Sequence, residues 1–305
     1  MHSTKSDLFK LKILIGITTK NRAQILPKAI DSALSQTYKN KEVWVFNDAS
    51  TDDTYLLENK YPQVNWITSS ESKGLMYARN LFMNQAGFEL FCSLDDDAWF
   101  LKQDSLSKAI HFFENDSQIA AIGFDMLDKQ NSLPSTINQH VSFTNSYIGC
   151  GHVVRCSAAR QVGLYTLAPG YYGSEEKDLC LRLIDSNYLI LKYIGEYIWH
   201  DKTSIERDLQ LQHRSGVCND LVFAYRRTPL LYLIPAISSK IIKQFLFAFT
   251  YKKNRLGGST AGGVYDFFVW LLTAKTLRKA VSAKGFNKYQ SYKNNGQIYM
   301  GSTSI

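Results

Sequence analysis

The feature that most constrains this chain is an alternation of short apolar runs with helical stripes, each run stopping in a polar cluster. Leu11-Lys12-Ile13-Leu14-Ile15-Gly16-Ile17 has strand length and ends in Thr18-Thr19. After it, Ile25, Leu26, Ala29, Ile30, Ala33 and Leu34 fall on one helical face. Glu42 to Phe46 is a second strand, ending in Asn47-Asp48, and Ser50 with Asp53 forms a capping-box-like start for a short helix. Val64 to Ile67 is a third strand, followed by a helix from about Gly74 to Gln85. Phe88 to Leu94 is a fourth, running directly into Asp95-Asp96-Asp97. Strands separated by helices at this spacing predict βαβ units and a mainly parallel, Rossmann-like α/β sheet flanked by helices. Ligands of such sheets lie at the carboxyl ends of the strands, where the three polar clusters meet.

The second half is less regular. Ile119 to Phe124 and Gly151 to Cys156 read as strands, a helix begins near Ser174, and Tyr197-Ile198-Trp199 leads into His200. Beyond that point the charge changes. Residues 201–305 hold 16 lysines and arginines against five acids, a net +11 inside a chain whose total is +8. The basic C-terminal third is therefore a region of its own, mostly helical, and nucleic acid or an anionic membrane would each suit its charge. Lysines and Pro235 interrupt Leu230 to Thr250, and Asp266 opens the next apolar stretch, so neither offers 18 uncharged apolar residues. Ile234, Ile237, Ile241, Phe245 and Phe249 keep a helical stripe, which fits a helix lying in a membrane surface. Its aromatic residues would serve equally as a dimer interface or as core. Five cysteines without a CxxC pair point to reduced thiols, and MHSTKSDLFK lacks a signal peptide's apolar stretch; a cytoplasmic protein is expected.

Several clusters carry chemistry, each with a plainer reading beside it. Three adjacent carboxylates at the end of a buried strand repel one another unless a cation offsets them, and hard oxygen ligands suit Mg²⁺ or Mn²⁺. The plainer reading is a solvated acidic turn. Asp48 would accept a nucleobase imide or a ribose hydroxyl, or would only hold a turn. Gly74 opens a helix whose N-terminus favours a phosphate, with Lys73 and Arg79 adding charge, although surface arginines are ordinarily just solvated. Glu175 and Glu176 begin a helix, where the dipole explains acids, yet either would serve as a general base within reach of a hydroxyl. His200 is a packed side chain or a companion to carboxylates on Mn²⁺.

In order, these segments resemble glycosyltransferase family 2, the inverting enzymes of GT-A fold. The resemblance covers about residues 11–205 and rests on Ile17 to Arg22, Phe46 to Asp52, Ser72 to Asn80, Leu94 to Asp97 and Glu175 to Arg182. It implies a catalytic domain over 1–205, with a nucleotide-binding half at about 11–127 and an acceptor half at 128–205, and a helical region over 206–305. Donor-binding residues would be Thr18, Thr19, Asn21, Arg22, Asp48, Lys73, Gly74, Arg79, Asp95 and Asp96. Asp95, Asp97 and His200 would hold Mn²⁺ or Mg²⁺, and Glu176, with Glu175 as second candidate, would be the base. The family usually has Glu-Asp where this chain has Glu-Glu, and the extra methylene keeps both candidates open. The implied reaction moves a sugar from a UDP- or dTDP-sugar to a glycan or lipid-linked acceptor with inversion, in bacterial cell-surface polysaccharide synthesis. Peripheral membrane contact through 206–305 and self-association are the partner expectations; nucleic acid is not one. A sugar nucleotidyltransferase would share the Rossmann-like half and the metal but needs a glycine- and lysine-rich loop near the N-terminus. A non-catalytic basic module that binds membrane or nucleic acid is the alternative from another class.

Overall fold

The computed structural model describes residues 10–131, 133–170, 172–202, 208–250, 257–274 and 278–301. The first two layers follow from the pleat of β1 (Ile13–Thr19). Ile13, Ile15 and Ile17 face one side and join Leu26, Ala29, Ile30 and Ala33 of α1 (Leu26–Leu34). Leu14 faces the other and joins Phe46, Phe82 and Phe91. A strand covered on both faces reads as a continuous apolar run rather than an alternating one. Gly16 leaves the space that brings Phe82 and Phe91 within 3 Å of where a Cβ would stand.

The chain continues through β2 (Lys41–Asp48), a 3₁₀ turn (Asp53–Tyr55), α2 (Leu56–Lys60), β3 (Asn65–Ser69), α3 (Leu75–Met83) and β4 (Leu90–Asp95). These four strands are parallel, in the order β3-β2-β1-β4. Asp52, not Ser50, caps the short turn, its carboxylate accepting from the Thr54 N–H. The second half adds β5 (Ala98–Phe100), α4 (Ser105–Asn115), β6 (Ile119–Leu127), β7 (His140–Phe143), β8 (Gly151–Arg155), α5 (Cys156–Gln161), α6 (Glu175–Asp185) and β9 (Leu189–His200). Here the sheet becomes mixed. β8 runs antiparallel to β4 and β6, β9 is parallel to β6, and β5 and β7 run antiparallel to β9.

Four helices follow: α7 (Leu209–Arg227), α8 (Leu230–Thr250), α9 (Gly257–Thr273) and α10 (Ala283–Asn295). They are tied to the sheet domain by charge and packing. Asp178 of α6 accepts from Arg182 at 2.6 Å and from Arg227 of α7 at 2.5 Å. Burial opposes its negative charge, but the two guanidiniums outweigh that and hold it below the usual carboxylate range. The last segment returns to β7, where Tyr299 donates its N–H to the Val141 carbonyl. The expected boundary at 205/206 lies outside the described residues, as does the N-terminal stretch before Lys10.

The stripe expected on α8 divides. Ile237 and Ile241 pack on the cluster formed by Val217, Leu221 and Phe267, while Ile234 and Phe249 are exposed. Lys240 turns inward to Asp220 at 2.7 Å, so it does not break the outer face. By length and composition alone α8 is apolar enough to cross a membrane, with mean hydropathy 1.4 over 18 residues, although Lys240 and Lys243 interrupt it as expected. All five cysteines are buried and unpaired.

Candidate active site

The acidic run is placed by the sheet. β1 pairs with β4 so that Thr18 stands opposite Asp95, and β5 pairs with β9 so that Ala98 stands opposite His200. The tight turn between β4 and β5 thus brings Asp97 beside His200, and Asp201 donates its N–H to the Asp97 carbonyl at 2.8 Å. Donor atoms of Asp95, Asp97 and His200 all lie within 4.8 Å of one another. Asp97 is 0% exposed, and its Oδ1 is 3.1 Å from His200 Nε2. Neither ring nitrogen of His200 makes a hydrogen bond with a described residue, although both are buried. Two carboxylates and an imidazole with their ligand atoms this close form a set that fits a divalent cation, and a carboxylate–imidazole set suits Mn²⁺. The three metal candidates therefore come together as expected.

Asp96 faces another way. It accepts from Arg22 Nη1 at 2.6 Å. Burial pushes its carboxyl up to about 6, against the pull of Arg22 and Thr19. Arg22 thus holds the turn, and Thr19 is buried beside it. Asn21 also acts on the loops. With φ 53, it receives the Ser50 hydroxyl oxygen as partner for its N–H and accepts from the Thr51 N–H at 2.8 Å. The first and second strand ends are thereby clasped together.

Asp48 differs from expectation in its partners. It accepts from the N–H of Lys73 at 2.6 Å, the N–H of Gly74 at 3.1 Å and the Ser72 hydroxyl at 2.8 Å. A carboxylate has about four acceptor positions. Most of Asp48's capacity anchors the loop before α3, and one position remains for a ligand. The same bonds engage the amides of Lys73 and Gly74, which are then not available to a phosphate. Gly74 has φ 84, a conformation that suits glycine and turns the chain into α3. The Lys73 ammonium meets Glu71 at the surface.

Arg79 is the largest correction. It is 1% exposed and bonded on every side, not a solvated surface arginine. Its Nε donates to Ser93 Oγ at 3.0 Å, Nη1 to Glu176 Oε1 at 2.9 Å, and Nη2 to the Gly149 carbonyl at 2.8 Å and Asp95 Oδ1 at 3.4 Å. Burial works against this charge, but Tyr165 and the carboxylates of Glu176, Asp95 and Glu175 raise it above the ordinary guanidinium value. Arg79 therefore ties the cation set to the start of α6 through one planar fork.

α6 begins after Ser174, which has φ 72, so Glu175 and Glu176 leave a sharp bend. The Glu175 carboxyl is pushed up to about 7 by burial and then by Glu176. Glu175 lines a cavity of about 170 Å³ with Lys73, Gly74, Thr166 and Tyr172. Gly149 escaped the sequence reading. A Cβ there would lie 2.4 Å from Glu176 Oε1, so any side chain would displace the Glu176 carboxylate from its place beside Arg79. Its one signal is position, two residues before Gly151 at the head of β8. Tyr165 was also missed; its hydroxyl lies 2.9 Å from Tyr147 and 2.9 Å from His152 beneath Arg79.

A parallel nucleotide-type half-sheet with a carboxylate–histidine set at its edge and carboxylates on a facing helix is the architecture of a GT-A fold. Residues 14–155 match the family described as "Glycosyl transferase family 2". Over these residues the chain carries a domain similar to glycosyltransferase family 2, which supports a glycosyltransferase. The chain is 28% identical over 181 residues to an Escherichia coli protein described as UDP-Glc:alpha-D-GlcNAc-diphosphoundecaprenol beta-1,3-glucosyltransferase WfaP, covering 56% of this chain and 70% of that one. Other relatives match over 41% of their own length. Among solved structures, TarS of S. aureus in complex with UDP-GlcNAc has TM-score 0.63 at 17% identity, covering 84% of this chain and 80% of that one. The mannosyltransferase PcManGT of Pyrobaculum calidifontis, in complex with GDP-Man and Mn2+, has TM-score 0.59 at 14% identity, covering 93% and 80%. These two likenesses bear on the fold.

Proposed function

We propose that the chain transfers a sugar from a UDP- or dTDP-sugar to a hydroxyl of a glycan or lipid-linked acceptor, with inversion. The observation that carries this reading is the Arg79 fork, which holds Asp95 of the cation set and Glu176 of α6 in one rigid unit. Donor diphosphate and acceptor hydroxyl would then meet across that guanidinium. Asp95, Asp97 and His200 would hold Mn²⁺ or Mg²⁺, which as a Lewis acid offsets charge growing on the departing diphosphate. The remaining acceptor position of Asp48, near the clasped strand ends, suits the imide N–H of uracil or thymine.

Glu176 is assigned as the base. Arg79 and Gly149 fix Oε1, leaving Oε2 to take the acceptor proton as the acceptor oxygen bonds to the anomeric carbon. The bond from that carbon to the diphosphate oxygen breaks, and the nucleoside diphosphate leaves with the electron pair. Glu175, ionising near pH 7, keeps a second reading open for the base. Glu176→Gln should abolish transfer; retention of the wild-type rate, with loss in Glu175→Gln, would move the assignment to Glu175.

The E. coli relative is named for a diphosphoundecaprenol-linked acceptor, of the kind used in bacterial cell-surface polysaccharide synthesis, and we assign this chain to such a pathway on the cytoplasmic face. The exposed face of α8 and α9, with Ile234, Leu246, Phe249 and Phe268, supports peripheral membrane contact beside basic side chains. A screen of donor hydrolysis with UDP-, dTDP- and GDP-sugars tests the reading. Hydrolysis of a UDP- or dTDP-sugar in Mn²⁺ that stops in excess chelator is expected; turnover confined to GDP-sugars, or indifferent to chelator, would contradict it.

A further inference from the structure

We propose that the open groove lined by residues 172–174, Lys177, α7 and α8 is an acceptor subsite for a saccharide unit beyond the one that reacts. This rests on the glycosyl-transfer reading, which places the acceptor hydroxyl at Glu175–Glu176. The groove holds about 390 Å³, within the range of small-molecule sites. Tyr172 lines both this groove and the smaller cavity that contains Glu175. The two spaces therefore flank a single side chain, one of them beside Glu175 at the start of α6, and an acceptor longer than one sugar would pass over it.

The chemistry of the walls favours a saccharide. Gln212 of α7 and Gln244 of α8 line the groove, are half-buried, and make no side-chain hydrogen bond with any described residue. Asp220 receives Lys240, Ser174 and Lys177 all on Oδ1, leaving Oδ2 as an acceptor in the same wall. Two amides and a carboxylate oxygen can both donate to and accept from vicinal hydroxyls. Phe247, 42% exposed, and Tyr172 supply flat apolar surface for the C–H face of a sugar ring. A hydrocarbon chain in this space would leave the amides and the carboxylate oxygen dry and unpaired. Asn219 fixes the entrance, bonding the Gly170 N–H at 2.9 Å and the carbonyls of Gly170 and Tyr172 at 3.0 Å. The C-terminal helices thereby complete the acceptor side rather than only carrying the domain.

The test is an NMR titration of the full chain with N,N′-diacetylchitobiose, cellobiose, lactose and, separately, decyl phosphate. At least one disaccharide should bind the wild type, and Gln212→Ala/Gln244→Ala should weaken it by at least about tenfold while keeping the wild-type melting temperature. Should the double variant prove less stable, Gln244→Leu alone provides the same comparison. Failure of every disaccharide to bind, an unchanged affinity in a folded variant, or binding of decyl phosphate that no disaccharide displaces would each overturn the proposal. Donor hydrolysis by the wild type is scored separately, so loss of the glycosyl-transfer reading is distinguishable from loss of the subsite.

Discussion

Gly149→Ala isolates the geometry of the proposed base. No positive φ is recorded at Gly149, so its backbone accepts alanine, and the effect comes from the added methyl alone. That carbon would lie 2.4 Å from Glu176 Oε1 and 3.2 Å from Arg79 Nη2. Ordinary contact begins at 3.4 Å, so the carboxylate must retreat by about 1 Å. It is the free end of a flexible side chain, and the move costs at most one charged hydrogen bond, about 1.5–3 kcal/mol. A reacting group displaced by about 1 Å loses roughly 100-fold in rate. We therefore expect kcat for sugar transfer, at saturating donor and acceptor, to fall by about two orders of magnitude while thermal unfolding still shows a cooperative, folded protein. A wild-type kcat in Gly149→Ala would refute the placement of Glu176 at the reacting centre.

Other perturbations follow from the same contacts. Arg79→Lys keeps the charge but loses the fork that reaches Ser93, Glu176, Gly149 and Asp95, and should destabilise the chain by about 3–5 kcal/mol in urea unfolding. Because the Glu175 carboxyl is raised to about 7 from 4.5, the folded state holds its proton more tightly than the unfolded chain, and stability falls as pH rises from 4.5 to about 7. Glu175→Gln should remove that fall, matching the wild type at pH 4 and exceeding it by about 1–3 kcal/mol at pH 8, read by denaturant midpoints. Leu246→Ser/Phe249→Ser, on the exposed face of α8, should reduce flotation with anionic vesicles several-fold and leave flotation with neutral vesicles low throughout.

Much of the fold was legible because it depends on local pattern. Strand-length apolar runs ending in Thr18-Thr19, Asn47-Asp48 and Asp95 to Asp97 placed the site edge before any coordinates, and His200 was already in line. What escaped depends on tertiary reach. Arginines are usually solvated, and nothing local signals that Arg79 is buried between two carboxylates. Asp48 was read against a ligand, whereas nearby amides occupy most of it, a choice made by the path of the 72–74 loop. Gly149 matters only because Glu176, 27 positions later in sequence, comes back onto it. The antiparallel insertion of β8 between β4 and β6 likewise leaves no mark in hydrophobic periodicity. On α8 a lysine count does not foretell that Lys240 folds inward onto Asp220.

The central claim is that Asp95, Asp97 and His200 bind a nucleoside diphosphate through a divalent cation. Calorimetric titration of UDP tests it directly, comparing wild type in Mn²⁺, wild type in excess chelator, and Asp97→Asn in Mn²⁺. The account predicts measurable binding in the first case only, with Asp97→Asn retaining the wild-type melting temperature to within a few degrees. Equal UDP affinity in all three titrations would contradict it.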